Sequence, residues 1–378
     1  MGTRNILLTG ATGVVGQHIL FELLHAYETN GDTGTIHLVV RSLAGKTAEQ
    51  RIRDLITHDF APEYIQQYPE ETLFKRIQII DSDLTSPKLR RSLVDFKKED
   101  RFEVIHCAAS TNLGASEKDE KEIIFSNYHA TMNLLKACAP FLRKFIFIST
   151  AFSCGRQKGL IAEDFLSLEN VEYRNPYEKY KASTEREVVA FCEENGIRWQ
   201  ISRPSIVCGR LLDAPLYYTP KFDVFYGFTK FFYKLMETPF GNTPLRILAN
   251  IEKAGSNVVP VDYVAKGIVA ALQRDDIQQF NIALSKAIRL KDSLPRMIEI
   301  NGYKKYQIVD TMPENMNLLE AAYYAELGQI SGPYVDDEFY EYDVSTLRSL
   351  LSHIPEPVYE ANAEAVLGYA VDRKFEEA

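Results

Sequence analysis

The chain has 378 residues, 46% of them hydrophobic, 25% charged and 11% aromatic, which is enough apolar material for a sizeable core and unlike a disordered, collagenous or disulfide-scaffold protein. A formal net charge of −9 excludes a protein whose main task is to neutralise a phosphate backbone, because that needs clustered positive charge, so no nucleic-acid partner is expected.

Along the chain, short β-branched apolar runs alternate with longer stretches of helical spacing, the pattern of βαβ units. Strands are expected over 5–9, 36–40, 77–80, 104–107, 144–149 and 199–202, and helices over 14–27, 47–57, 121–138 and 177–195. Nearly continuous apolar strands suit a parallel sheet covered on both faces. The expected fold is therefore α/β, a doubly wound parallel sheet of Rossmann type with a smaller C-terminal substrate-binding region. Its ligand site should lie at the carboxyl ends of the strands. Past residue 208 the alternation weakens: 209–257 is aromatic and loop-like, a strand-helix signal returns over 257–272, and 286–378 is a mixed tail with an acidic, tyrosine-rich stretch at 334–343. The expected division is a dinucleotide-binding domain of 1–208 and 257–285, with 209–256 and 286–378 as cap and tail.

Five cysteines (Cys107, Cys138, Cys154, Cys192 and Cys208) show no CxxC spacing, and no secretory leader opens the chain, which points to reduced thiols and a cytoplasmic location. No run approaches the roughly 18 apolar residues that span a bilayer, so no integral membrane segment is expected. Seven histidines without HExxH or paired His/Cys spacing give no metal site.

Thr9-Gly10-Ala11-Thr12-Gly13-Val14-Val15-Gly16 joins the first strand to the first helix. Gly10 permits the tight turn, Gly13 lets the backbone approach a pyrophosphate, Gly16 allows helix and strand to pack closely, and the helix N-terminus offers amide donors. After the second strand, where a carboxylate would hold the ribose hydroxyl of NAD, stands Arg41. A guanidinium there can pair with a 2′-phosphate, so NADPH is expected over NADH. Asp83-Leu84 after the third strand is placed for the adenine edge. Cys107-Ala108-Ala109 after the fourth supplies small residues beside the dinucleotide, and Pro204 after the sixth completes the cofactor set.

Asn175-Pro176 starts a helix on which Tyr177 and Lys181 share a face, one turn apart. An ammonium nearby stabilises a phenolate and brings its pKa toward working pH. Tyr180 and Lys179 are rivals, but Thr184 stands four positions after Tyr180. The fifth strand ends at Ser149-Thr150, where a hydroxyl can meet a substrate carbonyl. Of the two, Ser149 is as well read as a strand-end hydroxyl that satisfies backbone. From 217 to 233, nine of seventeen residues are aromatic, interleaved with Lys221, Lys230 and Lys234; they form either an apolar substrate wall or a packed core.

The glycine spacing resembles the TGxxGxxG of the extended short-chain dehydrogenase/reductases over residues 5 to about 272. Within that family, Val40-Arg41-Ser42-Leu43-Ala44-Gly45-Lys46 leading to Glu49-Gln50-Arg51-Ile52, with Val104-Ile105-His106-Cys107-Ala108-Ala109-Ser110, Ser149-Thr150-Ala151 and 257–265, is similar to fatty acyl-CoA reductases and thioester reductase domains. The chain departs from that branch at Val14-Val15, where a bulky pair is usual, and in a tail shorter than in eukaryotic acyl-CoA reductases, so that their membrane-anchoring end is not expected here. The resemblance puts Thr150 in the catalytic seat with Tyr177 and Lys181, and gives Asn127 the role of holding a water that relays protons to the lysine.

The implied reaction is NADPH-dependent reduction of an acyl thioester, delivered by coenzyme A or an acyl carrier protein, to an aldehyde and then, in one variant, to an alcohol. Thr150 and Tyr177 would stabilise and protonate the oxyanion, and Lys181 would bind the nicotinamide ribose. The alternatives are a reductase of free aldehydes or ketones, a sugar-nucleotide epimerase, against which Arg41 counts, and a dinucleotide-sensing binding protein, against which the Tyr177/Lys181 pair counts.

Overall fold

The computed structural model of the chain describes residues 4–31 and 34–377. Seven parallel strands make one sheet: β1 Ile6–Thr9, β2 Ile36–Val40, β3 Ile77–Asp81, β4 Phe102–His106, β5 Leu142–Ile148, β6 Arg198–Pro204 and β7 Gln279–Ile282. Their spatial order is 3-2-1-4-5-6-7, the doubly wound order expected, extended by one strand. Strands β1, β2 and β4 are buried at every residue, which is why they read as nearly continuous apolar runs. The seventh strand was not legible, because Gln-Phe-Asn-Ile alternates too briefly to stand out. The order reverses between β1 and β4, and Thr9 and His106 lie opposite each other in register at their carboxyl ends. That is the crevice in which such sheets take ligands.

Helix α1 (Val14–Asn30) follows β1 and α2 (Ala48–Thr57) follows β2. Helix α3 begins as Glu117–Ile123, passes through a π-helical stretch, Ile124–His129, and continues as Ala130–Cys138. Helix α4 is Pro176–Glu194. Thr47 and Ser116 close capping boxes, and Asn175 caps α4 ahead of Pro176; each cap occupies first-turn amides that would otherwise lack partners. Beyond β6 lie α5 (Gly227–Met236), α6 (Val261–Leu272), α7 (Leu290–Glu299), α8 (Leu318–Ala325), α9 (Leu327–Val335) and α10 (Tyr359–Asp372).

One core lies on the sheet face covered by α1, α2, α6 and α10, and a second on the face covered by α3 and α4. A third, separate core is built from α5, α7, α8 and α9 with the strand Leu245–Leu248. The tail is therefore divided. Its first part builds the third core, whereas α10 inserts Val366, Leu367 and Ala370 into the first. Each fully buried aliphatic side chain contributes roughly 1.5–3 kcal/mol over leaving it exposed, so α10 is an integral part of the sheet assembly. The aromatic run also resolves as core. Phe222, Phe225, Tyr226 and Phe232 are buried; Phe222 meets Phe375, Phe225 meets Tyr359, and Phe232 meets Tyr303. These rings join the cap to the tail, so packing accounts for the aromatic excess.

Candidate active site

The glycine loop has the shape its sequence requires. Gly10 adopts φ +76°, and a Cβ there would come within 2.6 Å of the Ala108 amide nitrogen, so only glycine allows the turn to press against the end of β4. A Cβ on Gly16 would collide with the Gly10 carbonyl. Gly13 is the N-cap residue of α1 and brings no side-chain oxygen to its first turn, leaving the amides of Val14, Val15 and Gly16 directed at the crevice end of the helix.

Thr9 is fully buried and joins the loop to β4: its Oγ1 accepts from the Ala108 amide at 3.3 Å and meets His106 Nδ1 at 2.7 Å. His106 Nε2 meets Thr131 Oγ1 at 2.8 Å, and that hydroxyl donates to the Asn127 carbonyl at 2.5 Å. Burial lowers the His106 pKa to about 3, with the Lys181 ammonium adding to the effect. A neutral imidazole thus links the glycine loop to the π-helical stretch of α3; π-bulges often mark functional sites.

Two guanidinium groups, Arg41 and Arg51, lie near the carboxyl end of β2. Arg41 is exposed and pairs with Asp83 at 3.3 Å. Asp83 also accepts from the Thr85 amide at 2.8 Å and from the Thr85 hydroxyl at 2.6 Å, and these bonds hold its carboxyl below the ordinary range. Arg51 reaches back from α2 to the Arg41 carbonyl at 2.7 Å and to Thr12 Oγ1 at 3.1 Å. It therefore bridges the glycine loop and the end of β2, a position its sequence context did not disclose. The Leu84 carbonyl accepts from Asn133 at 2.6 Å, which ties the loop after β3 to α3.

Thr150 and Tyr177 come together. The Thr150 hydroxyl is close enough to the Tyr177 phenol to lower its pKa, and it lies 3.5 Å from the Pro204 carbonyl at the end of β6. Ser149 points elsewhere: it bonds Glu185, which Ser153 also meets at 2.7 Å and which Arg203 grips at 2.7 Å. The two strand-end hydroxyls therefore have separate partners. Tyr180 and Lys179 both turn to Glu120, at 3.2 and 3.3 Å, away from Thr150.

Lys181 is buried and donates to the Ile148 carbonyl at 2.9 Å, with its ammonium 4.8 Å from the Phe147 ring centre. Burial lowers its pKa to about 8, while Cys107 and Glu185 raise it. Burial pushes Tyr177 above its ordinary value, Cys107 and Glu178 add to this, and only Thr150 acts against it. The expected lowering of the phenol pKa by Lys181 is not found, because burial outweighs the other influences on Tyr177. Burial also raises Cys107, to about 12, so this thiol stays protonated. The Asn127 amide clamps the main chain of Ser110, accepting from its nitrogen at 2.7 Å and donating to its oxygen at 2.9 Å. Its side chain braces the loop after β4, and only its carbonyl faces the His106 chain.

Among the described residues no group of three or more His, Cys, Asp or Glu side chains could hold a metal ion, and no helix is long and apolar enough to cross a membrane.

Comparison with known proteins gives three groups of matches. The family model for the male sterility protein, an NAD-binding family, matches residues 8–268. Fatty acyl-CoA reductase 1 of Mus musculus is 32% identical over 161 residues, covering 41% of this chain and 29% of that protein. A putative fatty acyl-CoA reductase of Drosophila melanogaster is 27% identical over 224 residues, covering 57% of this chain and 36% of that protein. The matched stretch is thus less than two fifths of either relative's length. Among solved structures, the terminal R domain of the myxalamid PKS-NRPS pathway has a TM-score of 0.68 at 20% identity, covering 100% of this chain and 93% of that one. UDP-glucuronic acid 4-epimerase of Bacillus cereus has a TM-score of 0.65 at 22% identity, covering 98% and 99%. At such identities the structures share the fold.

Proposed function

We propose, from the premise that this chain belongs to the male sterility protein family, that it reduces an acyl thioester with NADPH. The observation that carries the reading is the juxtaposition of Thr150 and Tyr177, whose hydroxyls are close enough to interact, with Lys181 one turn further along α4, at the carboxyl edge of the sheet. The relatives of mouse and fly bear the name fatty acyl-CoA reductase, which supports a thioester over a sugar nucleotide.

NADPH, when bound, supplies the hydride. The chain's own residues would do the rest. Gly10, Gly13 and the first turn of α1 receive the pyrophosphate, and Thr12, Arg41 and Arg51 receive the 2′-phosphate. Asp83, Leu84, Cys107, Ala108, Ala109 and Pro204 line the remainder. Thr150 donates a hydrogen bond to the substrate carbonyl oxygen, and Tyr177, held protonated by its surroundings, transfers its proton to that oxygen as negative charge develops there. Lys181, fixed by the Ile148 carbonyl, offers an ammonium to ribose hydroxyls and replaces the proton Tyr177 gives up. Collapse of the hemithioacetal then releases thiol and aldehyde. We assign substrate binding to the cap, delivery to coenzyme A or a carrier protein, and the location to the cytoplasm.

The test is NADPH consumption with acyl-CoA thioesters, carrier-bound thioesters, free aldehydes, ketones and UDP-sugars. Thioester-dependent oxidation with release of free thiol is expected. Turnover of aldehydes or ketones alone would replace this reading with that of a carbonyl reductase.

A further inference from the structure

We propose that Tyr334, which lies beyond the matched family region, is a positioning residue for Tyr177, holding the first turn of α4 through Asn175 and Glu178. The inference rests on the reading above only in taking Tyr177 as the acid of the site.

The Tyr334 hydroxyl is saturated by two groups of that turn. It accepts from Asn175 Nδ2 at 2.7 Å and donates to Glu178 Oε1 at 2.9 Å. Asn175 is the residue that caps α4, its Oδ1 accepting from the Glu178 amide at 3.0 Å. Glu178 is wholly buried, and its second oxygen accepts from the Arg174 amide at 3.0 Å. Tyr177 stands between these two partners of Tyr334 in the chain. The same tyrosine reaches the loop that bears Thr150: its ring meets the Phe152 ring edge-on at 5.6 Å. Three residues on, Asp337 pairs with Arg174 at 2.8 Å and with Arg156 at 2.9 Å, and the Arg174 guanidinium lies 5.3 Å from the Tyr334 ring centre. One short segment at the end of α9 therefore fastens both the loop of Thr150 and the turn of Tyr177.

Phe in place of Tyr334 removes one oxygen and leaves the Asn175 amide and the Glu178 carboxylate without their shared partner in a buried place, a cost the turn can relieve only by moving. Proton transfer is sensitive to such movement, since a displacement of about 1 Å can cost about a hundredfold in rate.

The test compares the full chain with its Tyr334→Phe and Asn175→Ser variants. Serine keeps the N-cap but lacks the amide donor to Tyr334. With a medium-chain acyl-CoA, each variant should lose about tenfold in kcat, with KM for NADPH and for the thioester within about twofold. The double variant should be no worse than either single one. A medium-chain aldehyde is run in parallel, because Tyr177 would protonate the same oxygen; loss of thioester turnover with retained aldehyde turnover in the parent chain sinks the substrate reading and still tests Tyr334. Hydrogen exchange at the Glu178 and Lys179 amides gives a readout independent of any substrate: about tenfold faster exchange in Tyr334→Phe, with the rest of α4 unchanged, is expected. Unchanged kcat together with unchanged exchange overturns the proposal, as does equal loss of kcat, KM and thermal stability, which would mark Tyr334 as general scaffold.

Discussion

His106 takes a hydrogen bond from Thr9, Oγ1 to Nδ1 at 2.7 Å, and its direction is fixed by the rest of the chain of bonds. Thr131 gives its single hydroxyl proton to the Asn127 carbonyl, so it must accept from His106 Nε2–H. Nδ1 is then bare and accepts from Thr9, whose oxygen is free for the Ala108 amide. Every donor and acceptor is used once, and only the neutral Nε2–H tautomer satisfies them.

Acid should therefore weaken this fold. The folded pKa of His106 is about 3 against an ordinary 6.5, and His18 is lowered equally by burial. Below 6.5 the unfolded chain takes up protons that the folded chain refuses, so stability present above 6.5 is lost as pH falls toward 3, by roughly 1.4 kcal/mol per pH unit per histidine. The buried carboxyls of Glu178 and Asp262, raised by burial, oppose this, so the informative quantity is a difference. His106→Gln should lower the Tm at pH 7 and flatten its decline from pH 7 to pH 5; an equally steep decline would contradict the neutral buried imidazole.

Tyr177→Phe should remove turnover while leaving NADPH affinity, measured by fluorescence titration, within about twofold, because the phenol carries the proton and not the cofactor. Lost binding would make Tyr177 structural.

The two guanidinium groups should separate. Arg41 is exposed and pairs with Asp83 across the end of the second strand, so Arg41→Ala should weaken NADPH about tenfold and leave NADH nearly unchanged. Arg51 also braces Thr12 and the Arg41 carbonyl, so Arg51→Ala should weaken both cofactors. Equal effects of Arg41→Ala on the two dinucleotides would refute the 2′-phosphate assignment.

Neighbouring hydroxyls should give opposite phenotypes. Ser149→Ala removes one donor to the buried Glu185–Arg203 pair and should cost about 1–3 kcal/mol of stability with little change in kcat. Thr150→Ala should lower kcat about a hundredfold with little change in Tm. The reverse pattern would exchange their roles.

Much of this was written in local sequence. The glycine loop, the apolar strands, the caps at Thr47 and Asn175 and the one-turn spacing of Tyr177 and Lys181 each depend on residues close together in the chain, where backbone geometry and helical periodicity decide the outcome. Tertiary structure decided what depends on distant partners. It assigned Ser149 to Glu185 and Thr150 to Tyr177, two adjacent hydroxyls on opposite sides of a strand end, a choice no spacing reveals. It turned the aromatic run into packing between cap and tail. It brought Arg51 onto Thr12 and Tyr334 onto Glu178, contacts of 39 and 156 residues' separation. Burial, which fixes the protonation of His106, Tyr177 and Lys181, exists only once the chain has folded around them.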